Sequence, residues 1–186
     1  VAESVPTATP SPEPTIEAES SAQSTSDLEF VFTLDVANRA VQISPDGAAI
    51  AVLRDDNVLQ LFSASDGTPQ IELSDFDGEL SNFIYADSGR AMAAVVDETG
   101  VTVFDAATAV SSFSEDYGNP VTGYAFSGDG NAIIIGTRRN IEIALLESSQ
   151  KQTRQDGVTS LDWSADGSQV VIANGRSVSV FAMSDN

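Results

Sequence analysis

The stretch Val41–Gly67, VQISPDGAAIAVLRDDNVLQLFSASDG, decides the fold of this chain. Apolar and polar residues alternate up to Ile43, the chain turns at Pro45–Gly47, and two apolar-rich segments follow on either side of a second polar turn, RDDN. Alternation of this kind is typical of strands with one buried face, and an Asp-Gly pair marks a tight turn. The stretch therefore predicts successive antiparallel strands joined by short turns.

The same turn occurs four times along the chain, about 40 residues apart. Its copies are ISPDG at 43–47, YADSG at 85–89, FSGDG at 126–130 and WSADG at 163–167. A second marker recurs in phase with the first: LQLFS at 59–63, VTVFD at 101–105, IEIAL at 141–145 and VSVFA at 178–182. Because two independent markers keep a common spacing, the sequence indicates repeats of four strands, here called strands A to D.

A polar tail precedes the repeats. Residues 1–27 contain four of the seven prolines, ten Ser or Thr, and no aromatic or basic residue. Such a segment buries too little apolar surface to offset the entropy of ordering it, so it is predicted to be a disordered or extended linker. The domain that follows, 28–186, is predicted to comprise a clasp strand and four repeats, at 29–35, 36–78, 79–118, 119–156 and 157–186.

These repeats resemble those of the WD-repeat family and related bacterial β-propellers, over the whole of Leu28–Asn186. ISPDG, FSGDG and WSADG look like the family's turn between strands A and B, and Phe104–Asp105 stands where the family has a Trp-Asp pair. The family's Gly-His pair is missing from every repeat, because the chain contains no His. The resemblance implies an all-β, divergent propeller with four blades per chain.

One end of the repeat region lacks a strand, and the other end has one too many. The fourth repeat ends after strand C, and a spare strand with alternating apolar residues precedes the first repeat at Glu29–Asp35. Propellers commonly close when an N-terminal strand completes the last blade, so this strand is predicted to complete the fourth. Three arrangements stay open: a self-closed ring of four blades, a homodimeric ring of eight that exchanges clasp strands, and an arc completed by another protein.

Composition excludes several kinds of partner and chemistry. The formal net charge of −20, from 28 acidic and 8 basic residues, is repelled by nucleic acid. The absence of His and Cys removes the usual general base, the thiol nucleophile and the commonest ligands of transition metals. No apolar run approaches the roughly 18 residues that a transmembrane helix needs. We therefore expect neither an enzyme nor a membrane-spanning protein.

Two groups of charged residues are candidate sites. Asp75, Asp77 and Glu79 alternate around a glycine and offer oxygen ligands to calcium, although a connecting turn between blades has the same composition. Arg138 and Arg139 form the only adjacent basic pair and are predicted to lie exposed in a turn of the third repeat. There they would contact an acidic partner, or the tail with its glutamates, or simply keep the turn solvated.

These features together predict a non-catalytic protein-binding or scaffold module without a cofactor. The tail resembles the stalks of exported bacterial domains, so we expect an extracellular or periplasmic protein tethered to the membrane through it. Its partner would be another protein, such as a subunit of a membrane or envelope complex that it serves as an accessory on the outer face. Two alternatives are a calcium-dependent propeller hydrolase or lactonase and a glycan-binding propeller.

Overall fold

Fifteen β-strands follow one another along the chain in the computed structural model, which describes residues 31–148 and 150–183. Each strand of four to six residues is joined to the next by a turn or a short connection. The first eight are β1 Asn38–Ile43, β2 Ala49–Arg54, β3 Leu59–Ser63, β4 Pro69–Leu73, β5 Leu80–Tyr85, β6 Ala91–Val96, β7 Gly100–Asp105 and β8 Ser111–Asp116. The others are β9 Val121–Phe126, β10 Ala132–Thr137, β11 Ile141–Leu145, β12 Gln150–Arg154, β13 Ser160–Trp163, β14 Gln169–Ala173 and β15 Val178–Ala182.

The strands pair in chain order into four antiparallel sheets. Their orders are β1-β2-β3-β4, β5-β6-β7-β8, β9-β10-β11-β12 and β13-β14-β15. Each sheet is one repeat, and its strands are the predicted A, B, C and, in the first three sheets, D. The predicted all-β architecture of four propeller blades is confirmed.

The A–B turn owes its shape to a serine and an aspartate two residues apart. Ser127 Oγ donates to Asp129 Oδ1 at 2.6 Å, and Ser127 Oγ also accepts a hydrogen bond from the backbone amide of Ala132. Gly130 ends the turn at a φ of +76°, which glycine adopts without the strain that a Cβ would cause. The second blade has Ala86 in place of this serine, so the motif is not required in every blade.

Consecutive blades pack face to face through apolar rows. Cross-strand partners share a face of their sheet, and the two faces of a blade contact different neighbours. Leu59 and Leu61 of the first blade pack against Phe104 and Met92 of the second. Two further core clusters join the second blade to the third and the third to the fourth. Every inner blade is therefore buried on both faces.

A hydrogen bond from a backbone amide accompanies each of these three joints. The acceptor lies in the turn between strands B and C of one blade or at the end of strand B, and the donor lies at or just before the start of strand A of the next. Leu80 N donates to Asn57 Oδ1 at 2.7 Å, Val121 N to the Glu98 carbonyl at 2.8 Å, and Val158 N to the Thr137 carbonyl at 2.8 Å. The recurring bond fixes how each blade follows the one before.

The first and fourth blades do not form a fourth joint of this kind. Among the described residues, no core cluster combines the two sheets, and the outward faces of both carry exposed valine and isoleucine. In the described residues, the two ends of the row therefore do not pack against each other as the self-closed ring of four would require, and all three arrangements stay predictions.

The predicted clasp strand is described only from Val31 onward. Val31–Asp35 has no strand pairing, and β15 pairs with β14 alone among the described strands. Phe32 and Leu34 instead lie beside the β3–β4 turn, about 3.1 Å from where a Cβ on Gly67 would stand. Completion of the fourth blade by this segment of the same chain stays a prediction, and the tail, 1–27, lies outside the described residues.

Candidate functional site

The outer face of the fourth blade is apolar and open to solvent. Val178 and Val180 of β15 are 69% and 61% exposed, and Val171, the partner of Val180 on β14, is 36% exposed. We call these three residues the trailing face. At the equivalent positions of the second blade, Val101 and Val103 are fully buried because the third blade packs over them. The trailing face therefore has the composition of a blade-to-blade contact.

The outer face of the first blade is also apolar and exposed, and it corresponds to the other half of a blade-to-blade contact. Val41 and Ile43 of β1 are 60% and 62% exposed. We call them the leading face. Phe126, which is the equivalent of Ile43 in the third blade, is buried against the second blade. The two ends of the row of blades thus expose the two opposite halves of one repeated joint.

The edge of the fourth blade is also unpaired. Strand β15 is paired with β14 on one side only, among the strands that the structure describes. A groove of about 240 Å³ runs beside it, between the third and fourth blades, and Arg154 stacks on the ring of Phe181 there at 4.9 Å. Its apolar wall is formed by Ile134, Ile141, Ile143, Val170, Ile172 and Phe181. An exposed apolar edge strand of this kind is suited to pairing with an added strand.

The predicted calcium ligands do not converge on one point. Asp75 and Asp77 line an acidic groove of about 460 Å³ beside the second blade, which also contains Asp97 and Glu115. Glu79 is instead paired with Arg39, with 2.7 Å between Oε1 and Nη1. Within residues 31–148 and 150–183, no group of three or more acidic side chains is arranged to hold a metal ion.

The predicted basic pair lies where the sequence placed it. Arg138 and Arg139 are exposed in the β10–β11 turn. The carbonyl of Arg138 faces Gly157 so closely that a Cβ there would clash with the carbonyl oxygen, so the backbone of this turn belongs to the joint with the fourth blade. Glu13, Glu17 and Glu19, the tail glutamates that the sequence offers as partners of the pair, lie outside the described residues.

The shifted pKa values arise from packing and from turn geometry. Burial raises the pKa of Tyr85 to about 12 and also raises the pKa of Tyr124. Hydrogen bonds from the serine two residues earlier, and then from a backbone amide, lower the pKa of Asp46 and bring that of Asp166 to about 2. All four side chains therefore keep one protonation state near neutral pH.

The sequence did not reveal the exposed end faces. The sequence did contain one signal for these faces: a spare segment precedes the first repeat, and the fourth repeat ends at strand C without a strand D. What it did not show is which rows of valine and isoleucine are covered, because those rows have the same composition in every repeat.

Comparison with known proteins supports the fold and does not extend to function. No protein-family model matches the chain, and no curated protein matches it. Among many matching solved structures is the β-propeller domain of Cps50 (Swd1) from Myceliophteria thermophila, at 11% sequence identity and a TM-score of 0.65. The match covers 79% of this chain and 54% of that one. The chain thus spans about half the length of that propeller domain and has the divergent propeller fold that its repeats predicted.

Proposed function

We propose that this protein is a non-catalytic protein-binding module whose binding surfaces are the two end faces of its row of blades. One observation carries the proposal: Val178 and Val180 lie exposed at positions that are fully buried in the second blade. Exposed apolar residues in a contiguous row mark an interaction surface. Since their counterparts are covered by another blade, a protein surface of similar shape is the partner that fits them.

The chemistry of the chain supports a binding role over a catalytic one. The sequence contains neither His nor Cys. The acidic groove beside the second blade has a carboxylate, Asp97, engaged with the backbone amide of Glu79 at 2.7 Å, which is the structural role of a turn.

The proposed location follows from the tail. The Pro-, Ser- and Thr-rich composition of residues 1–27 is typical of spacers, and a spacer would hold the blades away from a surface to which it is anchored. We therefore propose that the module acts outside the cytoplasm, as an accessory on the outer face of a membrane or envelope complex. Among the described residues, no helix is long and apolar enough to cross a membrane.

Site-specific photocrosslinking in the native host tests the proposal. A benzophenone amino acid at Val180 should give a covalent product with another polypeptide, because the trailing face is covered in the functional state. Val110 provides the matched control: it is 64% exposed, but it lies in the β7–β8 turn, away from both end faces. Absence of any product at Val180, or equal products at both positions, would overturn the proposal.

A further inference from the structure

We propose that the occupant of both end faces is a second copy of this chain, so that two copies form a closed ring of eight blades. This inference rests on the proposed function and identifies its partner. Each copy would place its trailing face on the leading face of the other, and each would supply a strand to the other's fourth blade.

The first argument is that the two faces are the two halves of the same joint. The trailing face continues the row that includes Leu61 and Val103, and the leading face continues the row that includes Phe126. In the three joints within the chain, the first kind of row always packs on the second kind. A trailing face therefore fits a leading face better than it fits another trailing face.

Closure supplies the second argument. A head-to-tail contact between identical chains gives an open filament unless rotation brings the last subunit back to the first. Four blades in each of two copies make eight, which lies within the range of propeller rings. Two identical joints then cover all four end faces, and no apolar face is left exposed.

The third argument is the position of the N-terminal segment. Phe32 and Leu34 lie beside the first blade at the β3–β4 turn. On the same side of that blade as Ile43, Phe62 is 5% exposed, although none of the other described sheets packs there. In the ring, the fourth blade of the second copy would stand next to this segment and would present the unpaired edge of its β15.

Charge complementarity is the fourth argument. At each joint within the chain, the B–C turn of one blade contacts the segment that leads into the next. The B–C turn of the fourth blade carries the exposed Arg176. The corresponding segment before β1 lines a pocket together with Arg54, Asp55 and Asp56, and Arg54 already pairs with Asp56 at 2.6 Å. The ring would therefore bring Arg176 of one copy to the two remaining carboxylates of this pocket in the other, those of Asp35 and Asp55.

Light scattering after size exclusion tests the stoichiometry with the full chain. We expect a mass about twice the 19.4 kDa of one chain. Dimerisation should strengthen with salt, because each copy carries a net charge of −20 and screening weakens their repulsion. A mass of one chain at every concentration and salt level, or a growing series of masses, would overturn the ring.

Substituting two valines of similar exposure, one inside the proposed contact and one outside it, locates the contact between the copies. Val180→Glu should give a folded single chain, since the side chain is solvated there and a carboxylate would be buried in the joint. Val110→Glu adds the same charge to a valine that is 64% exposed elsewhere, and it should leave the dimer intact. A dimer that survives Val180→Glu with unchanged affinity would contradict the joint.

Engineered cysteines test strand exchange, because the chain has none of its own. In the third blade, strand D places Thr153 opposite Glu142. Ser179 on β15 is the equivalent of Glu142. We place Thr33 opposite it because Phe32 and Leu34 alternate around Thr33 as Ile71 and Leu73 alternate around Glu72 in the strand D of the first blade. Oxidation of the double variant Thr33→Cys, Ser179→Cys should give a disulfide-linked dimer on a non-reducing gel. A disulfide within one chain, or no disulfide, would contradict exchange.

The two proposals fail in different ways. If Val180 crosslinks to a different polypeptide and the purified protein is a single chain, the second copy is wrong and the protein-binding role stands. If the chain is single and Val180 gives no product, both are wrong. A product composed of two copies of this chain, together with a dimeric mass, supports both.

Discussion

Val103 and Val180 occupy the same position of strand C in the second and fourth blades, but Val103 is fully buried and Val180 is 61% exposed. The difference lies in whether another blade follows. Val103 therefore stabilises the fold of a single chain, whereas Val180 is available for contact with a partner.

Truncating these two valines should affect stability differently as the protein concentration changes. We expect Val103→Ala to lower the free energy of unfolding by about 2 kcal/mol at any protein concentration, since it removes buried methyl groups and leaves a cavity. Val180→Ala should change it by less than about 0.5 kcal/mol in dilute solution, as exposed substitutions usually do, and should destabilise only at concentrations where the dimer forms. Urea unfolding over a range of concentrations measures both. A large effect of Val180→Ala in dilute protein would contradict the exposed face.

A glycine pair tests the contact of the N-terminal segment. Gly47 and Gly67 both have a φ near +70°, so an alanine is strained by about 1–2 kcal/mol at either one. A Cβ at Gly47 meets nothing within 4 Å, whereas one at Gly67 meets Phe32 and Leu34 at 3.1 Å. We therefore expect Gly67→Ala to destabilise more than Gly47→Ala in thermal unfolding. Equal effects would show that the segment does not rest on this turn in solution.

The repeated turns should make the protein sensitive to acid. The pKa of Asp166 is about 2 in the folded protein, below its ordinary value of 3.8, first because of the Ser164 hydroxyl and then because of the Ser168 amide. A lowered folded-state pKa gives a stabilisation that is complete above the unfolded pKa and is lost as the pH falls through the folded one. Stability should therefore fall between about pH 4 and pH 2, as denaturant unfolding would show. Ser164→Ala should reduce this slope, and an unchanged slope would contradict the role of the hydroxyl.

Lys151 joins the second and third blades. Its Nζ pairs with Glu115, lies 3.5 Å from Glu142 Oε1, and sits 5.0 Å from the ring centre of Phe113. Lys151→Met keeps the apolar stem but leaves the buried Glu142 carboxylate without a cation. We expect a loss of about 1–3 kcal/mol, the usual effect of removing a charged hydrogen-bond partner.

Two further variants separate charge from packing in this cluster. Lys151→Arg retains the charge and should unfold near the parent urea concentration. Adding Glu142→Gln to Lys151→Met should recover part of the loss, because the unpaired charge is then gone. A double variant that is no more stable than Lys151→Met alone would show that the stem, rather than the charge, matters.

Calcium should have no effect on thermal stability. Glu79 is bonded to Arg39 and does not join Asp75 and Asp77. A bound ion at a hundred times its dissociation constant would add about 2.7 kcal/mol, which a melting curve detects readily. A rise in Tm that Asp75→Asn with Asp77→Asn abolishes, and that the matched pair Asp55→Asn with Asp56→Asn does not, would instead favour the calcium-dependent hydrolase.

Much of this fold could be predicted because each blade is local. The turn Ser127–Gly130 contains its own hydrogen bonds and its own positive-φ glycine, so the same letters give the same turn wherever they occur. Strand order also follows, since antiparallel neighbours in sequence pair through short turns. The candidate sites were harder to predict. Sequence spacing alone grouped Glu79 with Asp75, but in the structure Glu79 pairs with Arg39, which lies 40 residues earlier in the chain.

The sequence by itself determined the blade, because the turn, the apolar strand B and the strand C marker each occur four times. The net charge and the composition also disfavour nucleic-acid binding and any chemistry that needs histidine or cysteine. Only the tertiary structure decided which rows of those blades are covered. Val101 and Val178 read alike in the sequence because both are valines at the start of the same marker. They differ because burial depends on what packs against a face: the third blade packs over Val101, and no sheet among the described residues packs over Val178.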